Sequence, residues 1–174
     1  MKSLSFAVPA LVATIAWSSA CGSSSSPTAA SPVVPAVEAP ATVAADPLFA
    51  VLTEALQDEY HAENVYARVL RDFGTVFPFA NIINAERSHA SSIAARITAR
   101  AWQAPASAWT PDNVPAFASV RDACAAAATA EIENVKLYDK HLEPGTLPDD
   151  VRTVFENNRR ASLVNHLPAF ERCR

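Results

Sequence analysis

The chain has 174 residues, half of them hydrophobic, a formal charge of −4 and only three glycines. That length and apolar content accommodate one folded domain with additional segments. The scarcity of glycine and of alternating β-branched runs excludes a sheet fold, and an acidic balance without a basic stripe excludes nucleic acid as a partner.

The first segment reads as a targeting signal. Met1 and Lys2 give a thin positive start, and residues 4–17 form an apolar stretch too short to span a bilayer. Ser18-Ser19-Ala20-Cys21-Gly22 follows. Small residues before a cysteine resemble the lipobox of bacterial lipoproteins, with Ser18 standing where leucine is usual. The resemblance implies removal of residues 1–20, acylation of Cys21, and export to the bacterial cell envelope. The protein would then be membrane-anchored through Cys21, on the periplasmic or surface side. Ordinary secretion with cleavage nearby is the alternative. Residues 21–46, rich in Ser, Pro and Ala, have the composition of a disordered tether.

From residue 47 to residue 174 the sequence predicts four amphipathic helices. The first spans 47–73 and stops at Gly74, with a seam of Leu48, Leu52, Ala55, Glu59, Ala62, Tyr66, Val69 and Phe73. The second opens near Pro78 and runs to about Trp102 along Phe79, Ile82, Glu86, His89, Ile93 and Ile97. The third runs from about Ala116 to Leu142 along Phe117, Val120, Cys124, Ala127, Glu131, Val135, Tyr138 and Leu142. The fourth opens at Pro148-Asp149-Asp150 and carries Leu163, His166, Phe170 and Cys173 on one face.

Steps of three and four keep residues on one helix face. The carboxylates and histidines in these seams therefore point inward. A buried carboxylate without a partner costs several kcal/mol, and three of them rival the whole stability of a small domain, about 5–15 kcal/mol. No Lys or Arg occupies the seams at that level, so a metal ion is the simplest neutralising partner.

Two of the links are short, which pairs helices 1 and 2, and helices 3 and 4, as antiparallel hairpins. The middle link, residues 103–115 with Pro105, Pro111 and Pro115, is long enough to travel the length of a bundle. The cysteines fit this arrangement. Cys124 lies seven residues before Glu131 and Cys173 seven after His166. Antiparallel helices that bring Glu131 to His166 bring Cys124 to Cys173. A disulfide is the expectation in an exported protein; two free buried thiols are the alternative.

Glu86-Arg87-Ser88-His89 is a Glu-x-x-His motif whose two groups share a helix face and can reach one ion. Around it, residues 48–172 resemble an uncharacterised ferritin-like family of archaea and bacteria. The resemblance lies in Asp58-Glu59-Tyr60-His61-Ala62-Glu63-Asn64-Val65-Tyr66, Phe79-Ala80-Asn81-Ile82 through His89, Ala128-Thr129-Ala130-Glu131 and Asn165-His166-Leu167-Pro168-Ala169-Phe170. More distantly the chain is similar to rubrerythrins and ferritins. The resemblance implies an all-α, ferritin-like four-helix bundle with its long connection between helices 2 and 3. It also carries a metal-ligand role to Glu59, Glu86, His89, Glu131 and His166.

The chain departs from six-ligand di-iron sites at Leu163, where a second Glu-x-x-His would place glutamate, and at Asn134, where rubrerythrin-like sites can have an acid. Glu63 could swing in as a sixth ligand; a solvated flank position is the alternative. One or two divalent ions are expected, iron first, with manganese or zinc also suited to these ligands. Pro168, two residues after His166, is expected to remove a backbone bond to Val164 and kink the helix.

Tyr66 and Tyr138 read as core residues that could hydrogen-bond a ligand. His61, about 200° around the helix from Glu59, reads as exposed, and His141 as a last-turn cation. Trp102 and Trp109 read as covers of one bundle end. The functional expectation is an envelope-tethered metal-binding protein, with iron oxidation or handling of peroxide or oxygen as its chemistry if it is an enzyme. The alternative is a degenerate, metal-free bundle serving as an interaction module; a haem bundle on His89 and His166 is unattractive beside three glutamates, and no haem-attachment sequence is present.

Overall fold

The computed structural model describes residues 43 and 46–174, all of whose regular structure is helical. The leader and Cys21 lie outside the described residues, as does nearly all of the tether. Helix α1 spans Pro47–Phe73, α2 Phe79–Thr98, α3 Val120–His141 and α4 Asp149–Ala161. A wide π-helical turn, Ser162–His166, then joins α4 to a short α5, Leu167–Glu171. No helix among the described residues is long and apolar enough to cross a membrane.

Local chemistry sets these boundaries. The Asp46 carboxylate accepts from the Leu48 and Phe49 N–H groups, and Pro47 occupies the first turn. Gly74 ends α1 with a positive φ of 78°. Helix α2 stops earlier than its apolar pattern implies. Ala101 turns left-handed at φ 57°, Trp102 N–H reaches back to the Ile97 carbonyl and Ala101 N–H to Thr98. This is a glycine-type cap made with alanine. Helix α3 starts later than expected because Ser119, not Ala116, caps it: the Ser119 hydroxyl accepts from Asp122 N–H at 3.1 Å. The middle link therefore covers residues 99–119, longer than the sequence implied.

Two apolar clusters give the direction of each helix. One unites the end of α1 (Tyr66, Val69), the start of α2 (Phe79, Ile82), the start of α3 (Cys124, Ala127) and Phe170 of α5. The other unites the start of α1 (Leu52, Leu56), the end of α2 (Ile93, Ile97), Tyr138 of α3 and Phe155 of α4. Helices α1 and α2 are thus antiparallel, α2 and α3 parallel, and α4 antiparallel to α3.

The link from α2 to α3 must travel between the two ends, and it does so as a strap along α1. Gln57 clamps it through the Ala106 carbonyl at 2.8 Å and Ala108 N–H at 2.9 Å. Farther along α1, Arg68 donates to the Pro111 carbonyl and Arg71 pairs with Asp112 at 2.6 Å. His61, expected to be exposed, is half-buried against Trp109, their ring centroids 4.5 Å apart. The tryptophans do not share an end: Trp102 packs edge-on against Phe49, whereas Trp109 sits midway on the strap.

The expected kink at Pro168 is a change of helix type. Leu167 N–H bonds the Ser162 carbonyl, five residues back, and the widened turn accommodates the proline that follows. It turns Ser162 and His166 inward and leaves Leu163, expected in the seam, 40% exposed.

Cys124 and Cys173 form a disulfide with Cα atoms 5.8 Å apart, closing a separation of 49 residues. Loop entropy gives that closure a stabilisation of about 4 kcal/mol. Replacing both cysteines by alanine is expected to lower the melting temperature by about 15 °C, measured by circular dichroism.

Candidate metal centre

Between the apolar clusters lies a polar layer. Glu59, Glu86, His89, Glu131, Asn134, Asn158, Ser162 and His166 are all buried there. Glu59 is fully enclosed and Glu86 is 2% exposed. Glu59, Glu86, His89, Glu131 and Asn134 come from the middle of their helices, Asn158 from the last turn of α4, and Ser162 and His166 from the wide turn.

Glu86 stands at the centre. Its Oε2 lies 3.1 Å from His89 Nδ1, and its Oε1 lies 3.1 Å from His166 Nδ1. Glu59 Oε2 flanks His89 at 3.2 Å, and Glu131 Oε2 flanks His166 at 3.4 Å. The two imidazoles stack with centroids 5.4 Å apart. The result is two triads, Glu59–Glu86–His89 and Glu86–Glu131–His166, sharing one carboxylate. In each, the potential ligand atoms lie within 4.8 Å of one another.

A supporting shell holds the outer carboxylates. The Tyr66 hydroxyl of α1 donates to Glu131 Oε1 of α3 at 2.7 Å, and the Tyr138 hydroxyl of α3 donates to Glu59 Oε1 of α1. Asn158 donates to the Tyr138 oxygen at 3.1 Å. Asn134 donates to Asp58 at 2.7 Å and to Glu59 at 3.4 Å, and accepts from the Ser162 hydroxyl at 2.8 Å. Helix α1, helix α3 and the wide turn are thereby joined.

All five expected ligands converge. Glu63 does not: it pairs with Arg87 at 2.8 Å on the outer face. His141 pairs with Glu54, away from the layer. Asp58, Asn158 and Ser162 were not anticipated as site residues. For Asn158 and Ser162 the signal was present, since they precede His166 by two turns and one turn on the same face. Asp58 gave none, lying about 100° from the Glu59 seam.

Burial governs the electrostatics. It pushes Glu59 up to about 7 against the opposing pull of His89. It would depress both imidazoles, but adjoining carboxylates overcome it. Glu59 and Glu86 raise His89 to about 10, and Glu131 and Glu86 raise His166 to about 9. Burial also works to raise Glu86, yet the two histidines together hold it below the usual carboxylate value. Burial and then neighbouring carboxylate charge keep Tyr66 and Tyr138 well above the phenol range, so both remain donors.

One feature of the donor set is unmet by the protein itself. Glu86 Oε1 and His166 Nδ1 are buried and close, yet neither has an aligned hydrogen-bond partner. A carboxylate oxygen and an imidazole nitrogen brought together out of line suit a cation lying between them.

No protein-family model matches the chain, and no curated protein matches it. Among solved structures it is similar to a conserved hypothetical protein, rv2844, from Mycobacterium tuberculosis. The likeness has 22% identity and a TM-score of 0.59, covering 71% of this chain and 93% of that one. It is a likeness of fold.

Two measurements probe the layer. Raised histidines stabilise the folded chain fully below about pH 6.5, and that contribution is lost as pH rises through about 9 and 10. Glu59 acts in the same direction, losing its contribution as pH rises through about 7. Metal-free protein is therefore expected to melt at a lower temperature near pH 10 than near pH 6.5. A double His89→Gln, His166→Gln variant should flatten that slope in calorimetry. Separately, Tyr138→Phe removes a donor from Glu59 and an acceptor from Asn158. It should cost about 1–3 kcal/mol in urea unfolding.

Proposed function

We propose that this is a ferritin-like protein whose four-helix domain holds two divalent cations, iron first among them, with Glu86 as the residue that their two ligand sets would share. The domain is exported and tethered to the cell envelope through an acylated Cys21. The observation that carries the metal reading is the Glu86 side chain, which presents a different oxygen to each histidine and leaves Oε1 without a hydrogen bond. Antiparallel hairpins joined by a bundle-length link favour the ferritin-like assignment.

Glu59 and His89 would complete the ligands of one ion, Glu131 and His166 those of the other. With neutral imidazoles the five side chains carry −3, opposite in sign to the cations and close to them in magnitude. A bound redox-active ion would supply one-electron chemistry toward oxygen or peroxide, with Fe(II) as the natural substrate. The protein's own part is to hold the carboxylates by Tyr66, Tyr138 and Asn134 and to exclude bulk water with the apolar clusters on either side. Binding must displace the protons that His89 and His166 carry near neutral pH.

A second reading is supported by the ion pairs themselves. His89 Nδ1 lies within 3.2 Å of both Glu59 and Glu86, an arrangement that a protonated imidazole satisfies without any cation. On that reading the bundle is an interaction module at the envelope.

Elemental analysis of protein purified without a histidine tag separates the two. About two equivalents of iron, manganese or zinc per chain are expected. Glu86→Ala and His89→Ala should each lower affinity at least about tenfold, and calorimetry in buffers of different ionisation enthalpy should register proton release. Unchanged metal content in both variants would sink the metal reading.

A further inference from the structure

The Cys124–Cys173 disulfide stands at the same interval from the polar layer on both of the segments it joins. Cys124 precedes Glu131 by seven residues on α3, and Cys173 follows His166 by seven near the end of the chain. Their Cα atoms are 5.8 Å apart. The bond therefore ties the segment that carries His166 to the helix that carries Glu131. Glu59 lies on α1, and Glu86 and His89 on α2, helices that the disulfide does not touch.

Few contacts hold the chain after His166. Helix α5 has five residues, whereas a helix needs about 12–15 to persist by itself. The wide turn before it is intrinsically less favourable than an α-helical one. Glu171, Arg172 and Arg174 are exposed. Phe170, packed against Tyr66 and Phe79, is the fully buried side chain of this segment. Phe170 and the disulfide are thus the principal anchors of α5, with Leu167 and Ala169 packed in support.

The two sulfurs differ in access. Cys124 is fully buried, whereas Cys173 is partly exposed and lies between Arg172 and Arg174, second from the end of the chain. A dithiol therefore meets Cys173 first, and the neighbouring guanidinium groups favour its thiolate. That thiolate bonds to Cys173 Sγ as the protein S–S bond breaks, and Cys124 Sγ leaves with the electron pair and takes up a proton. The second thiol of the reductant then attacks the sulfur of the first. Cys173 Sγ leaves and is protonated in turn. The dithiol ends as its own disulfide and the protein as two thiols.

We infer that the Cys124–Cys173 disulfide is a redox latch on His166: reduction by a dithiol frees α5 and the wide turn, and withdraws His166 from Glu86 and Glu131. In an exported protein the pair is oxidised at rest, so the latch is closed until a dithiol opens it. The withdrawal is a property of the metal-free geometry. Its consequence for ions rests on the metal reading, under which the latch regulates the Glu86–Glu131–His166 triad and leaves Glu59, Glu86 and His89 in place.

The test compares three forms of the full chain below their melting temperatures. One is oxidised, one is reduced with dithiothreitol that is then removed without air, and one is the Cys124→Ala/Cys173→Ala variant. In metal-free protein, reduction should move the His166 imidazole resonances to those of an exposed histidine. Amide exchange over residues 163–173 should quicken at least about tenfold, with exchange in the middle of α1 and α2 unchanged. Mn(II) binding, followed by the electron paramagnetic resonance signal of the free ion, should fall from about two equivalents to about one, the second ion weakened at least about tenfold. The alanine variant should bind as the reduced form does, and reducing a His166→Ala chain should change its Mn(II) binding no further. Unmoved His166 resonances, or exchange that quickens equally through α1 and α2, would overturn the latch. The same samples keep the two readings apart. A chain that binds no ion yet frees His166 on reduction ends the metal reading alone; one that holds two ions equally tightly in both redox forms ends the latch alone.

Discussion

The sharing of one buried carboxylate by two imidazoles is the constraint around which the domain is built. Glu86 meets His89 through one oxygen and His166 through the other. Burial alone lowers an imidazole's affinity for its proton, and Glu59 with Glu86 at His89, and Glu131 with Glu86 at His166, reverse that. Glu59 and Glu131 extend the pattern outward, one beside each histidine. Three acids and two bases thus occupy a single level, with Tyr66, Phe79 and Phe170 packed to one side and Leu56, Ile93 and Phe155 to the other. A layer of this kind gives up apolar contact at mid-height. The compensation must come from within the layer or from a bound cation, and the crossed hydrogen bonds supply the first part.

Why the tyrosines cross follows from helix geometry. Side chains on a helix lean toward its N-terminus. Glu59 therefore leans away from Tyr66 on its own helix, and Glu131 leans away from Tyr138. Because α1 and α3 run antiparallel, Glu131 leans toward the end where Tyr66 sits, and Glu59 toward the end where Tyr138 sits. Each tyrosine leans back toward the layer and meets the glutamate of the opposite helix. Two residues placed seven positions after two glutamates thereby lock a pair of helices in register. Both tyrosines are thus core residues whose hydroxyls are satisfied by a carboxylate of the facing helix.

The seams were legible because burial imposes a period, and Glu59, Glu86, His89, Glu131 and His166 interrupt that period where leucine would otherwise stand. The disulfide was legible for the same reason, as a register shared by two helices. What escaped was set by interactions that the period does not encode. Ala101 ends α2 in a conformation that glycine would have announced. Ser119 and Asp122 cap α3 by a hydroxyl contact easily lost within a proline-rich stretch. Leu163 fits an α-helical seam and would sit inside a regular helix, but it lies in a turn of wider period. Asp58 enters the layer only because Asn134 reaches across from another helix.

The wide turn connects these departures. A regular helix through residues 162–166 would direct Leu163 toward the core and demand a bond to the Val164 carbonyl that Pro168 cannot make. The extra residue in the π-helical turn turns Ser162 and His166 inward together. Such a turn is intrinsically less favourable than an α-helical one, so neighbouring contacts must hold it. Ser162 is held before it by Asn134 of α3. After it, Phe170 packs among Tyr66 and Phe79, and Cys173 is bonded to Cys124 of the same α3. His166 is thus fixed from both sides to one helix, the helix that carries Glu131. Its alignment with Glu131 and Glu86 is consequently a property of the α3 pairing rather than of its own helix. That explains how a non-α segment can present an imidazole at the same depth as the carboxylates of three ordinary helices.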